Sequence, residues 1–85
     1  MDSQYELWVR SGCPFCVDAQ HALLERGLAH TVNVLDEDPQ QLKEIKQLYK
    51  WKTVPIIVQR FTDGTEQFIG GFTDLQSHLS EERLV

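Results

Sequence analysis

Glu6-Leu7-Trp8-Val9-Arg10-Ser11-Gly12-Cys13-Pro14-Phe15-Cys16-Val17 decides the reading of this chain. An apolar run, a tight turn and a pair of thiols follow one another, and a helical pattern begins at the thiols. Glu6-Leu7-Trp8-Val9 reads as a short buried strand and Arg10-Ser11-Gly12 as a turn. Pro14 suits the first position of a helix, where an N–H is unpaired in any case. Cys13 therefore sits at a strand-to-helix junction, with Cys16 one helical turn further on. A helix N-terminus presents unpaired N–H groups and a partial positive charge, both of which favour a thiolate. This predicts Cys13 as a nucleophile and Cys16 as the thiol that resolves it.

Outward from that junction, Cys16, Val17, Ala19, Ala22, Leu23 and Leu24 mark the buried face of a helix over 14–26, stopped at Gly27. Thr31-Val32-Asn33-Val34-Leu35 is β-branched and alternating, a second strand. Asp38-Pro39 is a cap followed by a first-position proline, opening a helix over 39–50. Leu42, Ile45, Leu48 and Tyr49 form its apolar face, and Lys46 and Lys50 complement its dipole. Residues 55–59 read as a third strand and 67–69 as a fourth, joined through the Asp63-Gly64 turn and ended by Gly70-Gly71. Thr73 and Gln76 have capping-box spacing, which predicts a last helix to Leu79 with Thr73 as its cap. Phe72, Leu75 and Leu79 mark its buried side, and the tail from Ser80 is expected to fray. The order β-α-β-α-β-β-α defines an α/β fold with a four-stranded mixed sheet flanked by helices. Its strand–helix–strand units imply parallel pairing, and the hairpin adds an antiparallel edge.

The chain has 85 residues and a net charge of −5. That length predicts a single domain over 1–85 with a modest core. The acidic balance argues against a nucleic-acid partner, which calls for a basic patch or stripe. The first six residues show neither a basic region nor an apolar core and are not a signal peptide. The longest apolar stretch, Val54 to Val58, is far below the roughly 20 residues that span a bilayer, so no membrane association is expected. Two close cysteines without a secretory signal fit a reducing compartment, and a cytoplasmic location is expected.

The Cys13/Cys16 pair supports thiol–disulfide exchange, with half of a zinc site as the rival chemistry. A closed zinc site needs four ligands, and His21, His30 and His78 are scattered without ligand spacing. Phe15 is a large apolar side chain in an exposed loop, there either to receive a docking partner or to cover the loop. Lys43, Lys46, Lys50 and Lys52 place four of the eight basic residues in ten positions. Lys43 and Lys46 read as a solvated helix face. Lys52, with Arg10, can form a cationic rim that binds a small carboxylate and favours the thiolate. At Thr73-Asp74, backbone N–H groups can take a carboxylate and Asp74 an ammonium, although simple capping accounts for the same residues.

In four ordered segments the chain resembles the glutaredoxins: Cys13-Pro14-Phe15-Cys16, Thr53-Val54-Pro55, Gly70-Gly71 and Phe72-Thr73-Asp74. The resemblance runs from Leu7 to Leu79 and implies the thioredoxin fold. It implies Cys13 as nucleophile, Cys16 as resolving thiol and Pro55 as a cis-proline facing them. Glutathione is the implied co-substrate, with no metal. The Thr53 and Val54 backbone would pair with its cysteinyl part, Arg10 and Lys52 would meet its glycine carboxylate, and Thr73 and Asp74 would hold its γ-glutamyl end. Phe15, which replaces the commoner tyrosine, and Gly71 and Phe72 complete the implied glutathione-binding set. The implied activity is glutathione-dependent reduction of protein–glutathione mixed disulfides and protein disulfides by a monomer, with ribonucleotide reductase among the candidate partners. A redoxin fed by thioredoxin reductase is the near alternative. An iron–sulfur carrier is disfavoured by Pro14, and a zinc-binding adaptor is the third reading. Ile56, where the family often has glutamine, Trp51, where a small residue is common, and the hairpin over 59–67, longer than in short bacterial members, depart from the family pattern.

Overall fold

The structure, a computed structural model, describes residues 3–83. Its elements are β1 (Ser3–Val9), α1 (Pro14–Glu25), β2 (His30–Val34), α2 (Pro39–Tyr49), β3 (Ile56–Phe61), β4 (Glu66–Gly70) and α3 (Phe72–Arg83). The sheet order is β2-β1-β3-β4. β1 pairs with β2 in parallel, with Leu7 opposite Val32 and Val9 opposite Val34. β3 runs antiparallel to β1, and β4 antiparallel to β3. Parallel pairing thus holds for the first strand–helix–strand unit only. β3 crosses to the side of β1 opposite β2, which leaves β2 as an edge strand.

Successive residues of a strand point to opposite faces, so an interior strand covered on both sides is apolar throughout. Leu7 and Val9 enter one core with Ile57, Ala19 and Leu23 of α1, and Leu75 and Leu79 of α3. Trp8, between them, enters the other with Ile56, Val58, Leu35 and Leu42 of α2. β1 begins three residues earlier than the sequence pattern suggests, because Tyr5 is buried and pairs with Gln59 and His30.

The predicted apolar faces are wider than the buried ones. Cys16, Ala19 and Leu23 are buried, but Val17 and Leu24 of α1 and Leu48 of α2 are exposed. Each helix is covered along one arc only, and these residues flank it. Val34 is exposed because β2 is an edge strand.

The helix ends follow local chemistry. Asp38 accepts the Gln41 N–H at 3.0 Å, the predicted cap of α2. At the other end Lys50 adopts the left-handed conformation, and the Trp51 N–H returns to the Lys46 carbonyl at 2.9 Å. Gly27 ends α1 as expected, with φ of +66°. α3 departs from expectation. The Leu75 N–H donates to the Gly71 carbonyl at 3.0 Å, so the first turn opens at Phe72 and Thr73 lies inside the helix rather than capping it. Asp74 does the capping, reaching back to the Gly71 N–H at 3.0 Å. α3 continues through Arg83, past the predicted end.

Candidate active site

Cys13 is the N-cap of α1, with extended backbone angles that aim its side chain back over the first turn. Its Sγ accepts the Cys16 N–H at 3.2 Å. The helix thus directs an unpaired donor at the first sulfur, as the sequence predicts. The Cys13 thiol donates toward the Val54 carbonyl at 3.9 Å, and the Val54–Pro55 peptide is cis. Cys16 is buried in the α1–α3 core, and both cysteines are free thiols. Burial above all, with the hydrogen bond to Cys13 added, pushes the Cys16 thiol up to about 12. At neutral pH Cys16 is therefore a protonated thiol beneath the half-buried Cys13.

The loop ahead of Cys13 is pinned from β2. The Leu35 N–H extends the parallel pairing to the Val9 carbonyl at 3.0 Å, which carries Asp36 alongside Ser11. Asp36 accepts the Ser11 N–H at 3.0 Å through Oδ1 and the Ser11 hydroxyl through Oδ2. These bonds, and to a lesser degree the Arg10 charge, hold the Asp36 carboxyl below its ordinary value. Sequence reasoning missed this anchor. Asp36 stands in an acidic run, and only the β1–β2 register sets it against Ser11.

A groove of about 310 Å³ is lined by Phe15, Trp51, Thr53, Val54, Pro55, Gly71, Phe72, Thr73 and Asp74. Every predicted substrate-binding residue except Arg10 and Lys52 lies on it. Phe15 and Phe72 stack at 6.2 Å across one side, and Phe15 stays 60% exposed. Its ring is therefore partly supported and still largely available to a partner. Trp51, read from sequence only as an unusual residue, is a wall of this groove and packs edge-on against Phe68 at 5.3 Å. Arg10 and Lys52 are exposed and lie outside the groove lining. Lys52 belongs instead to a separate depression of about 570 Å³ along α2. That depression is larger, but it is the smaller groove that Val54 joins to Cys13. Among the described residues, no group of three or more His, Cys, Asp or Glu side chains could hold a metal ion.

A thiol capping a helix N-terminus, a buried second thiol one turn on and a facing cis-proline loop, on a mixed four-stranded sheet, define a thioredoxin-fold thiol–disulfide oxidoreductase. A glutaredoxin family model matches residues 5–62, and the chain belongs to the glutaredoxin family. Among solved structures, the dithiolic glutaredoxin 2-C-Grx1 of Trypanosoma brucei brucei is 36% identical, with 96% of this chain and 82% of that one covered and a TM-score of 0.74. Glutaredoxin 1 of Francisella tularensis, solved with cacodylate, is 27% identical over 98% of this chain and 99% of its own, with a TM-score of 0.72. A wheat glutaredoxin at 23% identity, covering 94% and 72% of the two chains with a TM-score of 0.74, shares the fold. A search of curated protein sequences found no match.

Proposed function

We propose that this protein uses glutathione to reduce protein–glutathione mixed disulfides and, through both thiols, protein disulfides. The observation that carries this reading is the groove joining Thr53-Val54-Pro55 to Asp74 beside Cys13. The Thr53–Val54 backbone pairs with the cysteinyl part of glutathione in the manner of an added strand. Asp74 has one oxygen on the Gly71 N–H and spare lone pairs for the γ-glutamyl ammonium. The solvent-facing cations Arg10 and Lys52 attract the glycine carboxylate at longer range.

Held this way, glutathione presents its own sulfur. The Cys13 thiolate attacks that sulfur, the mixed disulfide breaks, and the protein thiolate leaves and takes a proton from water. The Cys13–glutathione disulfide is then attacked by a second glutathione thiolate, which releases glutathione disulfide and restores Cys13. For a protein disulfide, the Cys13 thiolate attacks one sulfur and the other leaves as a thiol. Cys16 then attacks Cys13 Sγ, its proton passing to the departing substrate thiolate, and two glutathiones reopen the resulting intramolecular disulfide and leave as glutathione disulfide. The protein acts as one domain over residues 1–85, as a monomer, in a reducing compartment such as the cytoplasm; among the described residues no helix is long and apolar enough to cross a membrane.

The test is NADPH-coupled reduction of a glutathione mixed disulfide, with glutathione and glutathione reductase in one arm and thioredoxin reductase in the other. Turnover confined to the glutathione arm is expected. Cys16→Ser is expected to keep deglutathionylation and Cys13→Ser to lose it. Turnover confined to the thioredoxin reductase arm would reassign the electron donor. Arg10→Glu with Lys52→Glu is expected to raise the KM for glutathione, and unchanged kinetics would mean the two cations are only solvated surface.

A further inference from the structure

The depression along α2 has an apolar floor and a cationic rim. Leu42 and Trp51 line it, with Lys43, Lys46, Lys50 and Lys52 around them. No acidic side chain lines it. Among the described residues the ion pairs are those of Arg60 with Glu6 and Glu66, so these four lysines have none. A chain with 13 acidic residues and a net charge of −5 thus gathers half of its basic residues, unneutralised, around one depression. Exposed lysines alone would suit a solvated helix face. Here Lys46 is half-buried and lines the depression together with Leu42.

The depression also adjoins the reaction site. Trp51 walls both it and the groove beside Cys13. Lys52 stands two residues before Val54, a backbone separation of at most about 7 Å. The Lys52 end of the depression thus leads into the loop whose Val54 carbonyl faces Cys13.

Resting on the oxidoreductase reading above, we propose that this depression docks an acidic segment of the protein substrate, with an apolar side chain against Leu42 and Trp51 and carboxylates on Lys43, Lys46 and Lys50. The site selects glutathionylated or disulfide-bonded cysteines that have Asp or Glu residues nearby. Its contribution is to KM, since it meets the substrate away from the breaking bond. The charge complementarity is local, because the acidic remainder of the chain repels the same partner elsewhere.

Two peptides of equal length test this, each glutathionylated at one cysteine. One has an acidic and leucine-containing flank; the other has Asn and Gln in place of Asp and Glu. Wild-type protein is expected to turn over the acidic peptide with a kcat/KM roughly tenfold higher at low salt, the scale of two or three exposed charge pairs, with the advantage fading at high salt. Lys43→Gln with Lys46→Gln is expected to abolish that preference while leaving the neutral peptide and a small glutathione mixed disulfide unchanged. Equal use of both peptides by wild type overturns the docking site and leaves the proposed activity standing. A variant that slows all three substrates alike also overturns it. No turnover of the small mixed disulfide by wild type overturns the activity and the docking site together. Sedimentation that shows concentration-dependent self-association lost in the variant, without peptide preference, gives the surface to a second copy of the chain and overturns the proposal.

Discussion

Two sulfurs three positions apart behave differently because one caps a helix and the other lies inside a core. Cys13 Sγ accepts a backbone N–H and reaches the surface, whereas Cys16 is 1% exposed and its thiol is pushed up to about 12. Iodoacetamide at neutral pH is therefore expected to label one thiol rapidly, located at Cys13 by peptide mass spectrometry. In Cys13→Ser, Cys16 is expected to label only on unfolding; rapid labelling of the folded variant would contradict its burial. Asp36 gives a second prediction at this scale. Its carboxyl lies below the ordinary value of 3.8, so its hold on Ser11 is complete above that value and is lost as pH falls through the lowered one. The Ser11 amide is expected to be protected from hydrogen exchange near neutral pH and unprotected in Asp36→Ala, with a several-fold slower Cys13 reaction. An unprotected Ser11 amide in the wild type would remove Asp36 from loop positioning.

The junction of β4 and α3 is where element boundaries make the site. Gly70 has φ of +119°, and a Cβ built on it would lie 2.6 Å from Asp74 Oδ2. Gly70→Ala therefore combines backbone strain with displacement of the carboxylate that caps α3. A loss of about 1–3 kcal/mol in urea unfolding is expected, together with a raised KM for glutathione. A fully stable variant with unchanged KM would mean that Asp74 moves aside without consequence. The doublet Gly70-Gly71 was legible as a break, but the use of Asp74 as the cap was not. Thr73 and Gln76 offer the familiar capping spacing, and the choice between them and Asp74 rests on the direction in which β4 delivers the chain. Where a residue's own backbone chemistry marks a helix end, the reading held: Pro14 and Asp38-Pro39 open helices, and Gly27, free to take a positive φ, closes one. It widened where periodicity marks an apolar arc without saying which part is covered, as at Val17, Leu24 and Leu48. Strand direction was legible for β1 and β2 and not for β3, whose place beside β1 depends on both cores closing at once. For the same reason most of the groove could be named residue by residue, while Asp36 and the wall formed by Trp51 needed the assembled sheet.

Across the whole molecule, the sheet separates two cores that share β1 and β3, and each core borders a proton held against ionisation. Cys16 lies in the α1–α3 core. Tyr49 packs against the α2 core and donates to Glu66 at 2.7 Å. Arg60 bonds both Glu66 and Glu6, each at 2.6 Å, and Glu6 accepts from Asn33, so the network ties α2 to every strand. Burial first, then the contact with Glu66, pushes the Tyr49 hydroxyl up to about 12 from 10.0, while Cys16 reaches about 12 from 9.0. For both groups the folded value is the higher. The unfolded chain therefore releases these protons first, and each group's contribution is complete below its unfolded value and is lost as pH rises toward about 12. Urea midpoints are expected to decline as pH climbs past 9.0, before either group ionises in the folded state. Cys16→Ala with Tyr49→Phe lowers the midpoint at neutral pH through lost contacts, yet is expected to flatten the alkaline decline. That change of slope distinguishes proton linkage from packing loss, which shifts the curve without tilting it. An equally steep decline in the double variant would place the alkaline sensitivity in other groups and detach it from the two buried protons.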